Sequence, residues 1–170
     1  IFSLLFLSGN SQPHSSKKVI FALQDADSLI LISHKLTKEY APVIYYPKGH
    51  NHTIKKYYPL LINEFINPKI LVGKVLLNKA QIAKLVGIFR KSNNQKIVIT
   101  HDCDEPHNSI LIYKNSKLSY IDICLDCWQI HPSNNLQFRK TDMNEGKWNE
   151  LKNLFIRLKL YISFGAGMKE

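Results

Sequence analysis

Arginine is scarce in this chain of 170 residues: of its 23 Lys+Arg, only Arg90, Arg139 and Arg157 are arginine. That removes most of the bidentate phosphate and guanine contacts on which nucleic-acid readers depend. The net charge of +10 rests on lysines scattered along the chain, with no basic run interleaved with stacking aromatics. It reads as a solvated lysine-rich surface, and no nucleic-acid partner is expected. Long hydrophobic runs are missing too. The apolar start, residues 1–8 (I-F-S-L-L-F-L-S), falls far short of the roughly 20 residues that span a bilayer. There is no G-x-S-x-G elbow, P-loop, dinucleotide fingerprint or H-E-x-x-H helix, so the familiar hydrolase, nucleotide and zinc-protease templates have no foothold. Internal repeats, low-complexity tracts and interdomain linkers are also absent. Cysteine is limited to three residues, Cys103, Cys124 and Cys127, and all three fall within residues 100–132.

What is present is an ordinary globular composition, 45% hydrophobic and 21% charged, at a length that buries a core without staples. Residues 1–8 have the composition of the end of a signal-peptide apolar region, and a polar stretch follows over residues 9–16. Residues 1–17 are therefore read as the end of an export signal with a polar linker, residues 18–164 as one domain, and residues 165–170 as a tail. Export would place the thiols in the periplasm or cell envelope, where disulfides persist. The start also resembles that of a bacterial lipoprotein, but Gly9 or Asn10 stands where the lipidated cysteine would be. Any membrane contact would be confined to such an N-terminal anchor.

The apolar pattern implies an α+β fold, mainly an antiparallel sheet with two amphipathic helices and a cysteine-bearing β-hairpin. Residues 19–23 (V-I-F-A-L) read as a short strand, and residues 28–36 as a second, buried one in which His34 is a structural histidine. Residues 37–69 are broken by prolines. Within them, Gly49-His50-Asn51-His52 reads as a surface loop, and helical content is expected from Tyr57 to Phe65. Residues 70–77 form a strand. Asn78 then offers an N-cap, with Gln81 completing a capping box and Ile82, Leu85, Val86 and Phe89 lining one face of a helix to Lys91. A strand over residues 96–100 leads into the cysteine region. After an irregular stretch, a second helix over residues 146–160 carries Trp148, Leu151, Leu154, Phe155 and Leu158 on one face.

Residues 109–113 (S-I-L-I-Y) and 118–124 (L-S-Y-I-D-I-C) flank Lys114-Asn115-Ser116-Lys117, where Asn115 tolerates the positive φ of a tight turn. A two-residue turn there pairs Lys114 with Lys117, Ile110 with Ile121, Leu111 with Tyr120 and Ser109 with Asp122. Extended to the open end, it sets His107 opposite Cys124 and Asp104 opposite Cys127, with Cys103 one step beyond. Directly opposed residues lie about 4.5–5.5 Å apart, close enough to share a site.

Three chemistries fit that cluster. A metal site would use Cys103, Cys124 and Cys127 with His101, His107 or His131 as fourth ligand, a donor set suited to zinc or copper. A structural disulfide would pair two of the cysteines, Cys103–Cys127 clamping the hairpin or Cys124–Cys127 closing a tight loop. A thiol–disulfide redox pair is the third, although Cys124 ends a strand, and Asp122 and Asp126 oppose thiolate formation by like-charge repulsion. Ser109, His107 and Asp122 also lie near enough to form a hydrolytic triad, without the usual surrounding motif. Whether the protein is an enzyme is left open by these residues.

The run C-x-x-P-H-N, a hairpin and then I-C-x-x-C resembles a group of small, uncharacterised exported bacterial proteins with the pattern C-x-x-P-[RH]-[HN], hairpin, I-C-[FL]-x-C. Cys103, Pro106, His107, Asn108, Ile123, Cys124 and Cys127 match it, and the likeness extends over roughly residues 70–160. It implies that the three cysteines form the site and that His107, whose position is often arginine, is not an obligatory ligand. It implies no activity, substrate or partner.

Overall fold

The computed structural model describes residues 14–35, 38–40, 54–92, 105–138 and 142–162. In chain order the elements are α1 (His14–Gln24), β1 (Ser28–His34), β2 (Lys38–Tyr40), β3 (Ile54–Tyr57), β4 (Leu61–Ile62), β5 (Phe65–Ile66), β6 (Leu71–Leu76), α2 (Lys79–Arg90), β7 (Asn108–Lys114), β8 (Lys117–Cys124), β9 (Gln129–Pro132) and α3 (Glu145–Arg157). The expected strand over residues 96–100, the His50–His52 dyad, residues 1–8 and the tail lie outside the described residues, as do His101, Cys103 and Asp104.

Five strands form an antiparallel sheet in the order β6-β1-β7-β8-β9, and β2-β3 and β4-β5 make two small separate ribbons. This is an α+β fold. Strand alternation gives the sheet two distinct faces. On one, Leu29, Leu31, Ile110, Ile112, Ile121, Ile123 and Ile130 join Val19 and Leu23 of α1, Leu85 and Phe89 of α2, and Trp148, Leu151 and Phe155 of α3 in a single apolar core. On the other, Ile32 and Leu111 meet Leu60 and Ile70, with Tyr58, Tyr113 and Tyr120 packed alongside.

Local chemistry explains most of the elements. In α2, the Asn78 side chain accepts the Gln81 N–H at 2.9 Å and the Gln81 side chain accepts the Asn78 N–H at 2.8 Å. This reciprocal cap satisfies two donors that a helix start leaves orphaned. The Asn144 side chain caps α3 by accepting the Lys147 N–H at 3.0 Å. The same helix ends before residue 160 because Lys159 turns left-handed, with φ 57°. The N–H groups of Lys159 and Leu160 then close back on the Ile156 and Phe155 carbonyls at 3.0 and 2.9 Å. That is the Schellman closure, with lysine in the place usually taken by glycine. It throws Leu160 across the end of the sheet, where a Cβ on Gly73 would stand only 3.0 Å from Leu160 Cδ2 and 3.1 Å from Ser33 Oγ. Asn108 Nδ2 donates to the Leu160 carbonyl at 2.7 Å and holds the strap down.

Two expectations are corrected. Residues 19–23 are not a strand but the second half of α1, a third helix, which begins at His14 inside the stretch read as linker. Five apolar residues in a row carry no usable period. Packing selects the helix: Val19 and Leu23, one turn apart, are buried, whereas Phe21 is 66% exposed. The stretch from Tyr57 to Phe65 is not helical either. It ends β3 and forms the β4–β5 ribbon, whose turn places Asn63 and Glu64 at φ 49° and 66°. That pair of positive φ values defines a tight hairpin turn and excludes a right-handed helix.

Candidate functional site

The hairpin register is the one inferred from the turn. β7 and β8 pair Ser109 with Asp122, Ile110 with Ile121, Leu111 with Tyr120 and Lys114 with Lys117. Asn115 and Ser116 take φ 49° and 61°. Asp27, just before β1, fastens this turn by accepting the Asn115 N–H at 2.7 Å, and its own N–H donates to the Tyr113 carbonyl at 2.8 Å. The bond from Asn115, more than the neighbouring Lys114, holds the Asp27 carboxyl below the usual carboxylate range.

At the other end, His107 continues the ladder beyond Asn108–Ile123, its N–H reaching the Ile123 carbonyl at 3.3 Å. Cys127 does not sit on the extension of β8 opposite residue 104. The chain turns back immediately after Cys124, through Leu125, Asp126, Cys127 and Trp128, and returns as β9 with Cys124 paired to Gln129. Strand β9, which carries His131, has no alternating apolar signal of its own in the sequence. It is a strand because β8 offers it an edge.

Inside that turn the sulfurs of Cys124 and Cys127 stand within disulfide-bonding distance, with the Cα atoms 5.2 Å apart. Both residues are buried, Cys124 at 3% exposure and Cys127 at 0%, and the Cys127 N–H points at Cys124 Sγ at 3.2 Å. The remaining residues of the turn are tied to α3 and to the chain that follows it. The Asp126 carboxylate accepts Lys152 Nζ at 2.6 Å and the Tyr161 hydroxyl at 2.7 and 2.9 Å, and the Lys152 ammonium lies 4.7 Å from the Tyr161 ring centroid. The bond to Asp126 raises the Lys152 pKa above its ordinary value, and burial first, then Asp126, raises that of Tyr161. Trp128 stacks on Trp148 of α3 with centroids 6.4 Å apart and planes 5° from parallel. Its φ of 54° is uncommon for so bulky a residue. The charge of Asp126, expected to oppose a thiolate, is thus matched by Lys152.

Next to the turn, on the sheet face away from the helices, lies a buried polar group. Asp122 Oδ1 accepts the Ser109 hydroxyl at 2.9 Å and the Ile123 N–H at 3.2 Å, and His34 Nε2 lies 2.9 Å from it. His34 Nδ1 donates to the Lys35 carbonyl at 2.8 Å, and His107 Nδ1 to the His34 carbonyl at 3.0 Å. The expected association of Ser109 with Asp122 is present, but His34 takes the place considered for His107. The order of bonding is also not that of a hydrolytic triad. There the histidine stands between serine and carboxylate so that it can take the serine proton. Here the carboxylate stands between the other two, and Ser109 is fully buried.

Of the six candidate ligands, Cys124 and Cys127 are together in the turn. His107 is buried and bonded to backbone, and His131 is exposed on β9 opposite Asp122. Among the described residues no group of three or more His, Cys, Asp or Glu is arranged to hold a metal ion. Sequence reasoning missed Lys152, Tyr161 and the Trp128–Trp148 stack. Their spacing from the turn, with Lys152 26 and Tyr161 35 residues from Asp126, leaves no local signal. No helix among the described residues is long and apolar enough to cross a membrane. Comparison with protein-family models, curated proteins and solved structures finds no match to this chain.

Proposed function

We propose that the chain is an exported, disulfide-stabilised structural or interaction domain, with Cys124–Cys127 as the tie of its β8–β9 turn. The observation that carries this reading is the bonded sulfur pair, buried within a turn whose other side chains dock on α3. Such a tie belongs in an oxidising compartment, in keeping with the apolar start of the chain. Loop-entropy accounting puts a cross-link over so short a loop at about 2 kcal/mol. In denatured protein taken from its native compartment without reductant, Cys124 and Cys127 should resist alkylation and become reactive after reduction. Free alkylation of both before reduction would overturn the reading.

A second reading is metal binding through Cys103, Cys124 and Cys127, with zinc or copper as the metal. It is favoured by the Cys127 N–H aimed at Cys124 Sγ (3.2 Å), a contact that stabilises a thiolate as well as a bonded sulfur. The two described sulfurs would supply two soft ligands of such a site. Metal analysis of protein purified under reducing conditions separates the two: about one ion per chain supports this reading, and none with fully titratable thiols refutes it.

A further inference from the structure

The turn that carries the disulfide is held against α3 from two sides, and we infer that these contacts gate its reduction. In this inference, which rests on the disulfide reading above, Asp126–Lys152–Tyr161 and Trp128–Trp148 form a latch. It keeps external dithiols from the Cys124–Cys127 bond until the β8–β9 turn lifts off the helix.

Reduction begins when a thiolate approaches one sulfur in line with the S–S bond. In the folded turn no such approach exists: Cys127 is fully buried, and Cys124 and Leu125 are each only 3% exposed. The turn must move first. Its ties are the Asp126 carboxylate, bonded to both Lys152 and Tyr161, and the indole of Trp128, stacked on Trp148. All of these partners belong to α3 or to the residues just after it. Because Asp126 and Trp128 flank Cys127 in a turn of four residues, the ties release together. Trp128 also occupies the left-handed backbone region, at φ 54°, which a bulky side chain holds only under restraint. Once the stack is lost, the backbone has a reason to relax outward.

The exchange itself balances. One thiolate of the external dithiol bonds to a protein sulfur, and the other cysteine leaves as a thiolate that takes up a proton. The second thiol of the reagent then displaces the first cysteine, which is likewise protonated. Two electrons pass to the protein, and the reagent departs as its disulfide. The coupling is reciprocal: whatever undocks the turn eases reduction, and reduction removes the cross-link that keeps the turn in shape for docking.

The rate of reduction by dithiothreitol tests this directly. It is followed by alkylation with peptide mass mapping and by tryptophan fluorescence, because the only two tryptophans of the chain are the stacked pair. Lys152→Met and Tyr161→Phe should each speed reduction by about tenfold, within the usual range of couplings between sites. Tyr161→Phe removes a single hydroxyl, so it keeps the test valid if Lys152→Met fails to fold. Asn78→Ala, which weakens the cap of α2 away from the turn, should leave the rate unchanged. Equal acceleration in Asn78→Ala would mean that the bond opens only by global unfolding and would overturn the latch. Wild-type rates in both Lys152→Met and Tyr161→Phe, with circular dichroism intact, would overturn the latch while leaving the disulfide standing. Alkylation of Cys124 and Cys127 before any reductant would overturn the disulfide and the latch together.

Discussion

On the helix-covered face of the sheet, Leu29, Leu31, Ile110, Ile112, Ile121 and Ile123 pack into a cluster of apolar side chains, whereas on the opposite face Ser109, Asp122 and His34 lie beside Ile32 and Leu111. The first face is specified by burial and shape alone: any residue of fitting volume serves, and the cost of a change follows the volume removed. The second is specified by partners. Asp122 is acceptable there because the Ser109 hydroxyl and the Ile123 N–H donate to one of its oxygens and the His34 ring lies 2.9 Å from that oxygen, and each of these groups depends on it in turn. The difference teaches that the same strands, read on alternate residues, carry two kinds of constraint, one tolerant and one exacting.

The largest expected effect tests the exacting face. Asp122→Ala leaves the His34 ring and the Ser109 hydroxyl buried without their partner and should cost about 3–5 kcal/mol of unfolding free energy in a urea titration. The combined replacement of His34 by Leu, Asp122 by Leu and Ser109 by Ala should cost less than Asp122→Ala alone, because none of the three side chains is then left as a stranded polar group. Additive costs in the combined variant would break the comparison. On the tolerant face, Leu151→Ala, fully buried in α3, should cost about 3 kcal/mol by the same measurement, through the cavity it leaves.

The smallest effect contrasts buried Asp122 with exposed Asp27, which fastens the Asn115–Ser116 turn. The Asn115 N–H lowers the Asp27 pKa from its ordinary 3.8 in the folded state. Its contribution is therefore present above the unfolded value and lost as pH falls through the lower folded one. The urea midpoint of the wild type should fall more steeply than that of Asp27→Asn over roughly pH 2–5. Parallel profiles would show that the bond contributes nothing.

Legibility followed the range of the interactions. The register of β7–β8 was readable because Asn115 tolerates the positive φ of a two-residue turn and the alternation of flanking side chains follows from that turn. The α2 cap was readable because Asn78 and Gln81 are three residues apart. Helix α1 was not, because residues 19–23 are uniformly apolar and only their contact with the core buries Val19 and Leu23 while exposing Phe21. In the same way the β4–β5 ribbon rests on left-handed Asn63 and Glu64, which the prolines around them do not announce.

The cysteine turn between β8 and β9 divides along the same line. The spacing of Cys124 and Cys127 allows a tight local loop, and the sequence by itself determined that Cys124 stands at the end of a strand in a hairpin of known register. What lies around that loop was decided by tertiary structure alone. The return of the chain as β9, the docking of Asp126 on Lys152 and Tyr161, and the stacking of Trp128 on Trp148 all join segments distant along the chain. Short-range pairs are set by bond geometry within a few residues, and a sequence displays that geometry directly. Contacts between a turn and a distant helix exist only once the sheet and the helix layer have packed, and the energy that selects them belongs to that packing.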